Sequence, residues 1–217
     1  EIKCNIDYDE KKQYSILEIG CGAGALLKSF ENNNKIAGID MSTKMINIAK
    51  KALPDGNLLN CEAINMPYQN KEFDFILSHS CFQYFENLDY FEQVISKISN
   101  CIKVNGKIAL TDIFNEEEKE KYISYRIQQI GKEKYDLQYK DLNHLYIKKQ
   151  YFIDILIKYN FGNIKIVDAG FDDIKNKYDL NIWDENNQII ESLFNEIFKR
   201  FYYITKSALS NNIYFNF

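Results

Sequence analysis

Apolar and polar residues change period repeatedly along the first half of this chain, and each change marks an element. Ser15-Ile16-Leu17-Glu18-Ile19 is a short apolar run, the pattern of a buried strand. Gly20, Gly22 and Gly24 follow at alternate positions. From Ala25 to Asn32, Leu26, Leu27 and Phe30 recur at helical spacing. Lys35 to Asp40 predicts a second strand. Ser42 is a good N-cap for a helix with the stripe Met45, Ile46, Ile48, Ala49 and Leu53, ended by Pro54. Leu58 to Ala63 and Phe73 to Ser78 predict two more strands. Between Tyr90 and Cys101, the residues Phe91, Val94, Ile95 and Ile98 form one face of a helix. A turn at Val104-Asn105-Gly106 leads into a fifth strand, Lys107 to Asp112. Repeated strand–helix alternation implies a parallel sheet covered on both faces.

The pattern then changes. Glu116 to Gln129 reads as a charged helix, and the residues to about Lys149 are polar and rich in tyrosine. Residues 113–149 are therefore expected to be an insertion over the carboxyl edge of the sheet, a lid that recognises substrate. Tyr151 to Tyr159 is an amphipathic helix with Phe152, Ile155 and Leu156 inward. Asn163 to Asp168 predicts a sixth strand, Ile189 to Phe198 a helix, and Arg200 to Thr205 a last strand; Ala208 to Phe217 fits neither period cleanly. No internal repeat or linker interrupts the 217 residues, so 1–217 reads as a single domain.

Composition narrows the function. With 46% apolar and 15% aromatic residues, the chain has ample material for a core. Its net charge is -4, and Arg126 and Arg200 are its two arginines, which disfavours a nucleic-acid partner. No apolar stretch approaches the roughly 20 residues of a membrane span, and the start lacks a signal-peptide layout; a cytoplasmic protein is expected. Cys4, Cys21, Cys61, Cys81 and Cys101 are odd in number and lack metal-knuckle spacing, so reduced thiols and no metal are expected. No base partner is indicated that would make Cys81 a nucleophile.

The chemistry concentrates after the first strand. Alternate glycines there let backbone turn and approach a ligand closely, and Asp40 stands where a carboxylate can bind two ribose hydroxyls. A dinucleotide site would show G-x-G-x-x-G, whereas here the spacing is G-x-G-x-G. Glu18 would repel a phosphate at the helix N-terminus, yet its carboxylate can accept hydrogen bonds from an ammonium. S-adenosylmethionine carries an ammonium and a sulfonium and no phosphate.

Leu17-Glu18-Ile19-Gly20-Cys21-Gly22-Ala23-Gly24 and Gly38-Ile39-Asp40-Met41-Ser42 resemble the first two motifs of class I S-adenosylmethionine-dependent methyltransferases, in particular the group acting on small molecules. Cys61 to Tyr68, Phe73 to Ser78 and Ile102 to Lys107 resemble its later motifs; Glu62 stands where Asp is commoner, and Lys107 replaces a usual glycine. The resemblance implies an α/β fold: a doubly wound, seven-stranded, mostly parallel sheet whose last strand is antiparallel, here Arg200 to Thr205, with helices on both faces. It implies a cofactor site of Glu18, Gly20, Cys21, Gly22, Gly24, Asp40, Met41, Glu62, Ala63 and Ser78. Asp40 would hold the ribose, Met41 would pack on adenine, and Glu62 with the Ala63 backbone would meet the adenine edge.

His79 follows the fourth strand, where the family places the moving methyl group, and is a candidate base; His144 is a second. Gln83, Tyr84 and Tyr146 are candidate substrate contacts. The activity implied is methyl transfer to an O or N atom of a small-molecule acceptor, by a monomer or homodimer, with S-adenosylhomocysteine as product. A protein or RNA acceptor, or a non-catalytic cofactor-binding regulatory subunit, are the alternatives.

Overall fold

The computed structural model describes residues 3, 6–139, 142–167 and 213–216. Five parallel strands form its centre: β1 (Ser15–Ile19), β2 (Lys35–Asp40), β3 (Asn57–Asn60), β4 (Phe73–His79) and β5 (Ile102–Thr111). Their spatial order is β3-β2-β1-β4-β5, so the chain winds outward from β1 and then returns to lay β4 on its other side. That reversal opens a crevice at the carboxyl ends of β1 and β4.

Alternation along β1 explains the layers. Leu17 and Ile19 face a core built with Phe91, Val94, Ile95 and Ile98 of α3 (Leu88–Cys101) and Phe152, Ile155 and Leu156 of α6 (Lys149–Lys158). Ile16 joins the opposite core with Leu26 and Leu27 of α1 (Ala25–Lys28) and Ile46 and Ala49 of α2 (Thr43–Ala52). The expected helices on both faces are present. Ser42 caps α2 as expected, its hydroxyl accepting the Met45 N–H at 3.3 Å.

Several boundaries differ from those the pattern predicted. The first helix stops at Lys28, because Ser29 turns back and its hydroxyl bonds the Leu26 carbonyl. The third strand ends at Asn60, and Ala63–Asn65 form a 3₁₀ turn. The turn expected at 104–106 lies inside β5. Ile102 already pairs with Phe73, the register then slips before Lys107 meets Phe75, and the extra residues bulge outward with Val104 81% exposed.

The segment expected to be an insertion, residues 113–149, contains more order than its polar composition suggested. It holds β6 (Phe114–Asn115), α4 (Lys119–Ile130), α5 (Lys132–Tyr139) and β7 (Tyr146–Ile147), with β6 and β7 paired in parallel. A bond from the Leu145 N–H to the Gln83 carbonyl, 2.8 Å, joins it to the segment after β4.

Beyond β5 the sheet edge continues with β9 (Ile213–Asn216) and then β8 (Ile164–Val167), both parallel. The antiparallel strand expected at 200–205 and the helix expected at 189–198 lie outside the described residues. The strand between β5 and β8 comes from the ambiguous tail and pairs in parallel with both, and β8, the expected sixth strand, forms the edge. Among the described residues, no helix is long and apolar enough to cross a membrane.

Candidate functional site

The glycine loop is set by backbone geometry. Gly20, Gly22 and Gly24 have φ of +74°, +51° and +83°. The Gly20 and Cys21 N–H groups both donate to the Ile39 carbonyl at 2.9 Å, clamping the loop to the end of β2. A Cβ on Gly20 would lie 2.5 Å from the Cys81 sulfur, so only glycine lets the loop lie flat against the start of the β4 loop. A Cβ on Gly22 would meet nothing within 4 Å, so there the loop borders open space.

Asp40 organises the same edge. One carboxylate oxygen accepts the Gly22 N–H at 2.9 Å and the other the Ser42 N–H at 2.8 Å. Each keeps a lone pair for a further donor. Beside it, Met41 is 77% exposed. The Asp40 carbonyl is held by the Asn60 side chain and the Cys61 N–H, which brings the end of β3 alongside. Glu62 accepts a bond from the Asn65 side chain, and Ala63 is buried at the start of the 3₁₀ turn.

Glu18 is the least conventional group. It is 3% exposed, and its Oε2 finds no hydrogen-bond partner. Burial pushes its carboxyl from 4.5 up to about 8; a Leu27 backbone hydrogen bond opposes the shift and the Asp40 charge adds to it. One oxygen of this buried carboxyl, next to the glycine loop, is thus left able to take a further donor. The neighbouring thiols are not reactive partners: burial pushes Cys21 and Cys81 each up to about 12. That leaves little thiolate at neutral pH, as expected of inert cysteines. The cysteines Cys21, Cys61, Cys81 and Cys101 are all free, and Cys4 lies outside the described residues.

A second cluster gathers where β4 and β5 end. His79 Nδ1 lies 2.7 Å from the Thr111 hydroxyl and 3.4 Å from Asp112 Oδ2. Thr111 in turn approaches the Ser78 carbonyl at 3.4 Å. If that hydroxyl donates to Ser78, it accepts from Nδ1–H, and Nε2 carries the lone pair. Ser80 bonds the Asp112 carboxylate, and both have positive φ, +51° and +60°. Two non-glycine residues in the left-handed region at one strand edge are the kind of strain that collects at functional sites. Thr111 and Asp112 gave no signal in the sequence; only the pairing of β4 with β5 sets them beside His79.

Other candidates are placed as follows. Ser78 is 1% exposed, and its hydroxyl donates to the Ile19 carbonyl at 2.8 Å, tying β4 to β1. Gln83 is buried with Oε1 unpartnered. Tyr84 is exposed, and its ring lies 5.3 Å from that of His144. His144 also packs edge-on against Phe114 at 5.1 Å, and Tyr146 lies 5.4 Å from Phe114. Burial, and secondarily the Arg126 charge, hold His144 below its ordinary pKa. So His79 and His144 are both on the carboxyl edge, but in separate clusters.

A groove of about 860 Å³ on the α3 flank, lined by Tyr68, Lys71, Glu92, Lys97 and Tyr159, contains none of these residues. Among the described residues, no group of His, Cys, Asp and Glu is arranged to hold a metal ion.

Residues 17–110 match a family model described as a methyltransferase domain. A malonyl-[acyl-carrier protein] O-methyltransferase from Ilyobacter polytropus is 34% identical over 114 residues, 50% of this chain and 41% of the relative. An uncharacterized methyltransferase from Alkaliphilus oremlandii is 31% identical over 144 residues, 66% of this chain and 62% of the relative. The chain thus covers less than two thirds of either. A crystal structure titled as a SAM-dependent methyltransferase, possible histamine N-methyltransferase, from Thermotoga maritima superposes with a TM-score of 0.51 at 19% identity. It covers 70% of this chain and 65% of that one, and shows a shared fold. The resemblance read from the glycine loop agrees with the methyltransferase-domain model that matches residues 17–110, and with the shared fold.

Proposed function

We propose, on the premise that residues 17–110 are a methyltransferase domain of the class I S-adenosylmethionine-dependent kind, that this protein methylates an oxygen or nitrogen of a small-molecule acceptor. The observation that carries the proposal is the buried Glu18 carboxyl with an unpartnered oxygen beside the glycine loop. It suits the ammonium of the cofactor and is hostile to a pyrophosphate.

Glu18 would hold the amino group, Gly20, Cys21, Gly22 and Gly24 the adjoining backbone contacts, and Asp40 the ribose. Met41, Glu62 and Ala63 would meet the adenine. When bound, S-adenosylmethionine supplies a methyl group already activated on a sulfonium. The chain's own task is then to align the acceptor and exclude water, which can lower a barrier by ~7–11 kcal/mol. His79 Nε2 is the proton acceptor for an alcohol or a protonated amine, and Asp112 stabilises the imidazolium that forms. Residues 113–149 cover this edge as a lid, held by the β6–β7 pair and the Leu145–Gln83 bond. Four free thiols fit a reducing, cytoplasmic setting.

Calorimetry with S-adenosylmethionine, S-adenosylhomocysteine and NAD tests the cofactor. Asp40→Ala is expected to weaken S-adenosylhomocysteine binding tenfold or more, about 1.4 kcal/mol, through loss of charge-assisted bonds. Binding of NAD in preference to S-adenosylhomocysteine would sink the proposal. Transfer of labelled methyl groups to a metabolite panel then finds the acceptor. With that acceptor, His79→Gln should lower the transfer rate by ~10²-fold while cofactor affinity stays put. An unchanged rate removes His79 from the reaction.

A further inference from the structure

Arg126 lies in α4 of the insertion, half-buried among aromatic rings. Its guanidinium sits 5.2 Å from the Tyr122 ring centre and 5.8 Å from that of Tyr139. Nε donates to the Tyr122 hydroxyl at 3.1 Å, and Nη1 reaches the Tyr139 hydroxyl at 3.5 Å. Those two contacts leave the rest of its five-donor fork without a protein partner among the described residues.

Among the described residues, no carboxylate meets this cation. Burial opposes its charge, and the groups that favour the charge are Tyr122, Tyr139 and Tyr125. Nor do these rings serve as anions: burial pushes Tyr122 up, and Tyr146 up to about 12, so both are neutral at working pH. Among the described residues, ion pairs of the insertion include Glu118 with Lys121 and Asp136 with Lys132, away from Arg126. A second cation, Lys119, stands 5.1 Å over the Tyr146 ring. In a chain of net charge -4, Arg126 and Lys119 thus place two cations against these aromatic rings.

Its position matters as much as its charge. Tyr139 and His144 rings lie 6.4 Å apart, and His144 packs against Tyr84, which follows β4 a few residues past His79. The Leu145–Gln83 bond fixes this neighbourhood to the strand edge that carries the glycine loop. The cation therefore borders the acceptor side of the crevice.

We infer that Arg126 and the tyrosines around it form a subsite for an anionic group, carboxylate or phosphate, on the molecule that this edge binds. A guanidinium fork matches either anion with two parallel hydrogen bonds, and a half-buried cation with no carboxylate partner among the described residues is stabilised by acquiring one. The aromatic walls favour a flat or apolar body beside the anion. The inference rests on the methyltransferase reading only in making that molecule the methyl acceptor.

The test is ligand-observed fluorine NMR on the full chain with 4-fluorobenzoate, 4-fluorophenyl phosphate and the neutral 4-fluorobenzamide, with and without S-adenosylhomocysteine. At least one anion is expected to bind tenfold or more tightly than the amide. The anion arm that wins identifies carboxylate or phosphate. Arg126→Gln should bring that anion to within threefold of the amide, and Arg126→Lys should retain only part of the preference because it lacks the fork. Circular dichroism melting checks both variants; if Arg126→Gln fails to fold, Arg126→Lys carries the comparison. Equal affinity for all three probes, no binding of any, or an anion preference that survives replacement of Arg126 overturns the inference. Absence of S-adenosylhomocysteine binding would instead strike the methyltransferase reading and leave the anion comparison intact.

Discussion

Glu18→Gln is expected to weaken S-adenosylhomocysteine binding about a hundredfold and, at the same time, to stabilise the empty protein. The two effects have one cause. Folding pushes this carboxyl from 4.5 up to about 8, chiefly by burial. A folded-state value above the unfolded one means that the group's contribution to stability is fully present below pH 4.5 and lost as pH rises through 8. Glutamine has no charge to bury. The melting temperatures of the two proteins should coincide near pH 4 and separate with rising pH. Near pH 7 the gap should correspond to roughly 3 kcal/mol in favour of Glu18→Gln, and it should level off above pH 8. Cofactor affinity runs the other way. An ammonium requires the ionised carboxylate, so binding at pH 7 releases a proton, and affinity should fall by up to tenfold per unit as pH drops below 8. Calorimetry in buffers of different ionisation heat measures that proton. Unchanged affinity in Glu18→Gln would show that the carboxylate does not serve the cofactor.

Gly20→Ala carries the second large effect. The added carbon would sit 2.5 Å from the Cys81 sulfur and 2.7 Å from its Cβ, at a φ of +74°. The left-handed backbone costs roughly 1–2 kcal/mol for a residue with a side chain, and overpacking about 1–3 more. A loss of about 3 kcal/mol in denaturant unfolding is expected. Gly22→Ala is the informative contrast. Its φ is +51°, but the new methyl meets no protein atom within 4 Å. It should cost only the backbone strain, roughly 1 kcal/mol, while intruding on the space above the loop and weakening cofactor binding. Equal destabilisation by the two alanines would mean that Cys81 can move away at little cost.

Local signals carried the donor half of the site. The run before Gly20, the alternate glycines, the Ser42 cap and Asp40 are each legible within a few residues, because turn geometry and capping are local requirements. The acceptor half depends on pairings remote in sequence. Thr111 and Asp112 become relevant through the register of β4 with β5, and Arg126 through a fold-back that brings Tyr139 and His144 near it. Neither has a periodic signature. The bulge inside β5 shows the same limit: Asn105-Gly106 has the composition of a turn, but Ile102 was already claimed by Phe73 in the sheet. β6 and β7, two residues each, are too short for any alternation to register.

The hydroxyl of Ser78 joins segments 59 residues apart by its bond to the Ile19 carbonyl. One end of that link is the root of the glycine loop, and the other is the residue before His79. On the proposed reading, donor and acceptor would then be aligned by a pin through the middle of the sheet rather than by the reach of a flexible arm. Displacements of about 1 Å can cost two orders of magnitude in rate, so the spacing on which a transfer depends is fixed at the point where the scaffold yields least. On that reading, residues 113–149 could vary in shape without disturbing the line along which the reacting atoms would meet.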